Sequence, residues 1–156
     1  MKQDGSERRK LLPMSVFRLI VVSPDDEWIA AWVQVTGEES SVAVQGYRLS
    51  DGKAARICVF CSVGWSADGK YLYLSYESFR RANVTAPGKT YAVPLRSGFM
   101  LPAPAGGITS EADLVKLGAV VIPINPADDL APGPSPAIYT FARRTIQRNL
   151  YRVPLP

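Results

Sequence analysis

Short apolar runs alternate with clusters of turn residues along most of the chain, and this pattern predicts strands rather than helices. The runs are rich in Val, Ile, Tyr and Trp, which favour strands. The run 28–35 is apolar apart from Gln34, so we expect this strand to be covered on both faces. The predicted strands are 17–22, 28–35, 42–49, 54–60, 71–76, 91–95, 99–101, 137–142 and 149–155.

Turn residues separate these strands. Residues 23–26 read Ser-Pro-Asp-Asp, in which Pro suits the first central position of a turn and Asp bonds to nearby backbone. The Asp-Gly pair at 51–52 supplies the positive φ that a tight hairpin requires, and residues 66–69 repeat the turn cluster of 23–26. The stretch 125–136 is rich in Pro, Asp and Gly and predicts a loop, and we expect the two strands after it to pair with each other.

One helix is predicted, over residues 110–117. Ser110 is placed to cap its N-terminus, and acidic residues occupy the first turn, where the helix dipole favours them. Gly118 is placed to end it.

An internal repeat relates segments 22–29 and 65–72. Ser23 and Ser66 lie 43 residues apart, and each is followed by an Asp two residues later and by an aromatic residue that opens the next strand. The glycines of the downstream hairpin turns, Gly52 and Gly98, are separated by 46 residues. A four-stranded unit of about 40–45 residues has the size of one propeller blade, which needs stacked neighbours to cover its two apolar faces.

The two copies, Ser-Pro-Asp-Asp-Glu-Trp at 23–28 and Trp-Ser-Ala-Asp-Gly-Lys-Tyr at 65–71, resemble the Ser-Pro-Asp-Gly-Lys-aromatic signature of bacterial TolB-like, WD-repeat-like β-propellers. The first copy departs from that signature at Asp26, which replaces Gly, and the second at Ala67, which replaces Pro. The resemblance covers residues 1 to about 101. It implies an all-β partial β-propeller of about two full four-stranded antiparallel blades plus a partial last blade.

The repeat predicts how the chain is divided. Closed propellers have at least four blades or so, and two full blades cannot close a ring. We therefore expect a fragment or C-terminal part of a larger bacterial protein, or self-association through an open blade face. The expected divisions are a blade end at 1–13, a blade at 14–60, a second blade at 61–104, a linker with a short helix at 105–136, and last-blade strands at 137–156.

Charge and hydropathy change this interpretation little. The net charge of +4 is modest and does not demand nucleic acid. We interpret the densest basic patch as outward-facing side chains on strands. No apolar run approaches the ~20 residues of a membrane span, and the polar N-terminus carries no signal core, so the chain as written is expected to be cytoplasmic. The basic patch consists of Arg143, Arg144, Arg148 and Arg152.

Cys58 and Cys61 form a Cys-x-x-Cys pair. In an extended strand, residues three apart point to opposite faces, which favours two separate buried cysteines. If the chain turns at residues 60–61, a disulfide forms instead. The third alternative is a redox or metal site, but the chain has no histidine and no other cysteine to complete a zinc site.

Other candidate groups have structural explanations. Without histidine, no Ser-His-Asp or Cys-His site is available. Ser66 begins like a nucleophile elbow, but Asp68 stands where that motif needs Gly. The three tryptophans lie in or beside apolar strands, which favours core packing over a ligand surface. The acidic residues of predicted turns and loops are assigned to local backbone bonds; they are Asp25, Asp26, Asp68, Asp128 and Asp129.

These observations predict a non-catalytic binding or scaffold module that carries no cofactor and works with a protein partner or an upstream domain. The alternative is an accessory or sensor propeller of a serine/threonine protein kinase or peptidase whose catalytic domain lies elsewhere. That alternative rests on the run 147–155, which resembles the ends of propellers attached to kinases or regulators.

Overall fold

The computed structural model describes residues 6, 12, 15–35, 42–76, 89–96, 104, 106–124 and 129–142. They form an all-β fold of two four-stranded antiparallel sheets and one two-stranded hairpin, with a single short helix. The strands are β1 Val16–Val22, β2 Trp28–Gln34, β3 Val42–Arg48, β4 Ala54–Val59, β5 Cys61–Trp65, β6 Tyr71–Tyr76, β7 Lys89–Pro94, β8 Val120–Ile122, β9 Asp129–Ser135 and β10 Ile138–Ala142, and the helix is α1 Glu111–Lys116.

The first sheet has the strand order β1-β2-β3-β4. β2 pairs with β3 without a break along its whole length and is buried on both faces at most positions, which confirms the expectation for this apolar run. β1 is an edge strand, and its pairing with β2 is irregular between Val16 and Arg18 and again between Leu19 and Val21. Such bulges bend an edge strand and interrupt its regular pairing.

The second sheet has the order β5-β6-β7-β8. Its outer strand, β8, comes from Val120–Ile122, which lies inside the stretch 105–136 that the sequence assigned to a linker. The second sheet therefore extends beyond residue 104. A three-residue strand carries no measurable period of its own and is specified by its partner β7. The return strand predicted at 99–101 lies outside the described residues.

The helix matches its prediction. The Ser110 hydroxyl accepts a hydrogen bond from the backbone N–H of Asp113 at 3.2 Å, and the Asp113 carboxylate accepts one from the backbone N–H of Ser110 at 3.1 Å. This reciprocal capping box satisfies two of the N–H groups that a helix N-terminus leaves unpaired. Gly118 ends the helix in the left-handed conformation, with φ 72°.

The loop predicted at 125–136 is wrong for its second half. Asp129–Ser135 forms β9, and it pairs with Ile138–Ala142, which was expected to pair with 149–155; that segment lies outside the described residues. Pro is tolerated in β9 because each strand of a two-stranded hairpin has an edge that needs no ladder bond. The register skips Gly133 and Pro134, and a Cβ on Gly133 would collide with the backbone of Ile138.

The two sheets pack face to face. The largest apolar cluster lies between them and contains Val44 and Ile57 of the first sheet and Leu72 and Leu74 of the second, all at most 1% exposed. The outer face of the first sheet is also buried and packs against Leu12. The outer face of the second sheet is covered by the β9–β10 hairpin through two partly buried side chains, Leu130 and Tyr139.

Candidate functional site

The same turn opens the second strand of each sheet. The Ser23 hydroxyl accepts the backbone N–H of Trp28 at 2.9 Å, and the Ser66 hydroxyl accepts that of Tyr71 at 2.9 Å. Each serine also donates to the Asp two residues later, and that Asp accepts the backbone N–H two residues further on at 3.1 Å. The sequence repeat is therefore a repeat of hydrogen bonds.

Each turn has one residue in the left-handed conformation, and this explains why Asp26 can stand where the signature has glycine. Asp26 has φ 57° and Gly69 has φ 69°. Glycine adopts this conformation without strain, and Asp is among the few other residues that tolerate it. Asp26 therefore replaces the signature glycine without changing the turn.

These turns use the groups that catalysis would need. Ser66 is fully buried, and its hydroxyl is engaged by Tyr71 and Asp68, so it is not presented as a nucleophile. The serine hydroxyls lower the pKa of Asp25 and of Asp68 below the ordinary value of 3.8. Both carboxylates thus act as acceptors within their own turns. Asp128 lies outside the described residues, as do the four arginines of the basic patch.

The tryptophans pack as predicted. Trp28 is 8% exposed and belongs to the cluster between the sheets, and Trp32 and Trp65 pack against that cluster. The Arg48 guanidinium lies over the Trp28 ring, 5.0 Å from its centre, where a cation is attracted to the ring face.

Cys58 and Cys61 lie at the corner where the first sheet passes into the second. Only Phe60 separates the end of β4 from the start of β5, and it is left-handed, with φ 50°. This turn brings the two side chains to the same side of the chain, and the sulfurs form a disulfide across a Cα–Cα distance of 6.1 Å. Both cysteines are buried, at 0% and 2% exposure, but the turn joins them where an extended strand would have separated them.

A second chain segment, residues 106–109, lies against this corner; we refer to it as the strap. Cys58 forms a parallel bridge with Ile108, whose N–H donates to the carbonyl of Ile57 at 2.8 Å. A Cβ on Gly107 would stand 3.0 Å from Cγ of Arg56, so the strap approaches β4 closely. Ser110, the N-cap of α1, follows the strap directly.

On the other side of the corner lies a polar network. Cys61 is the cross-strand partner of Tyr76, whose ring meets Tyr91 edge to face at 6.2 Å. The Tyr91 hydroxyl donates to the Glu111 carboxylate at 2.6 Å, and the Lys89 ammonium donates to the same oxygen at 2.6 Å. Burial and the carboxylate beside it raise the pKa of Tyr91, and Lys89 lowers the pKa of Glu111.

Sequence reasoning missed this network because its partners are about 20 residues apart and follow no motif. The sequence pattern accounts for Glu111 only as one of the acidic residues of the first turn of the helix. Among the described residues, no three side chains of His, Cys, Asp or Glu are grouped to hold a metal ion, and no helix is long and apolar enough to cross a membrane.

No protein-family model, curated protein or solved structure matches this chain. The class of protein is therefore defined by the fold itself: an all-β protein built from stacked antiparallel sheets of four strands.

Proposed function

We propose that this chain is a non-catalytic binding or scaffold module whose sheets are blades of a TolB-like, WD-repeat-like propeller. The observation that carries the proposal is the repeated turn, with the same serine and aspartate bonds at the start of the second strand of both sheets. The face-to-face packing of the two sheets supports it, because radial stacking of four-stranded units is what builds a propeller.

The chemistry of the described residues supports a role in binding rather than catalysis. The chain has no histidine, and the buried hydroxyl of Ser66 is engaged in its turn. The purified protein should show no turnover of model ester, phosphate monoester or peptide substrates. Turnover that the Ser66→Ala variant abolishes while remaining folded would overturn this part of the proposal.

The partner we propose is a second copy of the chain. The outer faces of both sheets are covered, so the contact we expect lies along edge strand β1 rather than on an open blade face. Phe17 and Leu19 of β1 are 75% and 54% exposed.

Light scattering behind a sizing column tests this contact. We expect twice the monomer mass for the natural chain and the monomer mass for a Phe17→Ser, Leu19→Ser variant. A Val115→Ser variant is the control, because Val115 is 73% exposed but lies on α1. A monomeric natural chain, or a double variant that still dimerises, would exclude β1 as the contact.

The alternative role, as an accessory or sensor propeller of a kinase or peptidase, rests on residues 147–155, which lie outside the described residues. None of the described contacts favours it over the scaffold role.

A further inference from the structure

We propose that the Cys58–Cys61 disulfide is a redox-controlled clasp that secures the N-terminus of helix α1 against the junction of the two sheets, and that a dithiol reductant opens it. The proposal rests on the geometry of the corner and is independent of the propeller assignment.

The first step concerns the corner itself. Phe60 is one of two residues other than glycine that have positive φ in the described part of the chain. A side chain in the left-handed region is strained, and such residues persist when their surroundings hold them. The disulfide closes directly across Phe60 and therefore holds the turn that joins β4 to β5.

The second step is that both cysteines connect to the same end of one helix. On the Cys58 side, the bridge to Ile108 holds the strap that leads into the helix cap. On the Cys61 side, Tyr76 and Tyr91 lead to Glu111, the first residue of α1. Loosening the corner should therefore weaken two independent attachments of the helix N-terminus.

The third step concerns access. Both cysteines lie in the apolar cluster between the sheets, and Ile108 is 1% exposed beside them. Because Ile108 belongs to this cluster and pairs with Cys58, we expect a reductant to reach the sulfurs when the strap moves away from β4. Reduction should then be limited by that opening rather than by the encounter with the reductant.

The reaction is ordinary thiol–disulfide exchange. A thiolate of the dithiol attacks one sulfur, the Cys58–Cys61 bond breaks, and the released cysteine thiolate takes up a proton. The second thiolate of the reductant then displaces the other cysteine, which is protonated in turn. The dithiol leaves as its cyclic disulfide, having supplied two electrons and two protons. Oxidising compartments keep the clasp closed, and reducing ones open it.

Reduction kinetics provide the first test. The oxidised chain is mixed with increasing dithiothreitol, samples are quenched by alkylation, and the alkylated fraction is counted by mass spectrometry. We expect the rate to reach a plateau at high dithiothreitol in native buffer and to rise linearly in concentrated urea. A native rate that rises linearly throughout and equals the rate in urea would overturn the proposal.

Two variants locate the opening. Gly107→Ala should raise the plateau rate about tenfold, because Gly107 has φ 79° and a Cβ there crowds β4, so the strap is held less firmly. Val115→Ala alters an exposed side chain of α1 away from the strap and should leave the rate unchanged. Equal rates in Gly107→Ala and the natural chain would remove the strap from the mechanism.

Hydrogen exchange tests the consequence. In the reduced chain, amides of 106–117 should exchange at least about tenfold faster than in the oxidised chain, and those of 28–34 should not change. A Cys58→Ser, Cys61→Ser variant should reproduce the reduced pattern; if it does not fold, the reduced natural chain carries the same readout. Identical exchange in the oxidised and reduced chains would refute the clasp.

Discussion

Replacing Ser66 by Ala tests whether the repeated turn stabilises the fold. The substitution removes the acceptor of the Tyr71 backbone N–H and the donor to Asp68. Asp68 keeps the backbone N–H of Lys70 at 3.1 Å and the Lys70 ammonium at 3.2 Å, so the larger loss falls on the Tyr71 amide. A buried donor left without its partner costs roughly 1–3 kcal/mol.

Urea unfolding followed by tryptophan fluorescence measures this cost. A chain of this size loses about 1–3 kcal/mol of stability per molar urea, so the midpoint should fall by roughly 1 M. Ser23→Ala removes the equivalent bond to Trp28 and should cost the same within about 0.5 kcal/mol. The control is Ser50→Ala, whose exposed side chain lies in the turn after β3 and should change stability by no more than about 0.5 kcal/mol.

The losses of stability in Ser23→Ala and Ser66→Ala show whether the two turns stabilise the fold equally. If Ser66→Ala costs no more than the Ser50→Ala control, the hydroxyl does not stabilise the turn. If Ser23→Ala and Ser66→Ala differ by more than about 1 kcal/mol, the turns are not energetic equivalents and the repeat is one of shape alone. Equal and substantial costs would leave no need for a catalytic explanation of Ser66.

Local chemistry made the repeat predictable from the sequence. Ser, Asp and an aromatic residue at fixed spacing specify a turn whose bonds all lie within about six residues, so the turns were placed correctly. The strand β8 and the contact between Tyr91 and Glu111 depend on partners remote in sequence, and no local pattern reports them. The Cys-x-x-Cys spacing made a disulfide between Cys58 and Cys61 one of the alternatives, but the sequence could not decide it. The pairing depends on the left-handed conformation of Phe60, and no glycine at that position predicts a turn there.

Three further results are expected. Gly69→Ala should lower stability by about 1 kcal/mol in urea unfolding, because its φ of 69° strains any side chain, whereas Gly64→Ala, at an ordinary φ, should be neutral. Tyr91→Phe should cost roughly 1 kcal/mol in the same assay by removing its bond to Glu111, and an unchanged midpoint would argue against that bond. The folded-state pKa of Asp68 is depressed, so its contribution to stability is present above the ordinary pKa of 3.8 and is lost as pH falls through the folded value. Urea midpoints measured down to about pH 2.5 should show this loss of stability. The loss should be smaller in Ser66→Ala, which lacks the hydroxyl that lowers the pKa of Asp68.

Among the described residues, the two sheets differ in how their last two strands are joined, and that connection is where a function specific to this chain should be sought. In the first sheet, β3 returns to β4 through the tight turn 49–53. In the second, the equivalent strands β7 and β8 are joined by 95–119, which includes the strap and α1. Features present in both sheets, such as the serine turns, are explained by the fold. The long connection has no counterpart in the first sheet and docks on the disulfide corner of that sheet. The first sheet forms without an equivalent of this connection. We therefore expect reduction of the Cys58–Cys61 disulfide to loosen the strap and α1 while the two sheets stay folded.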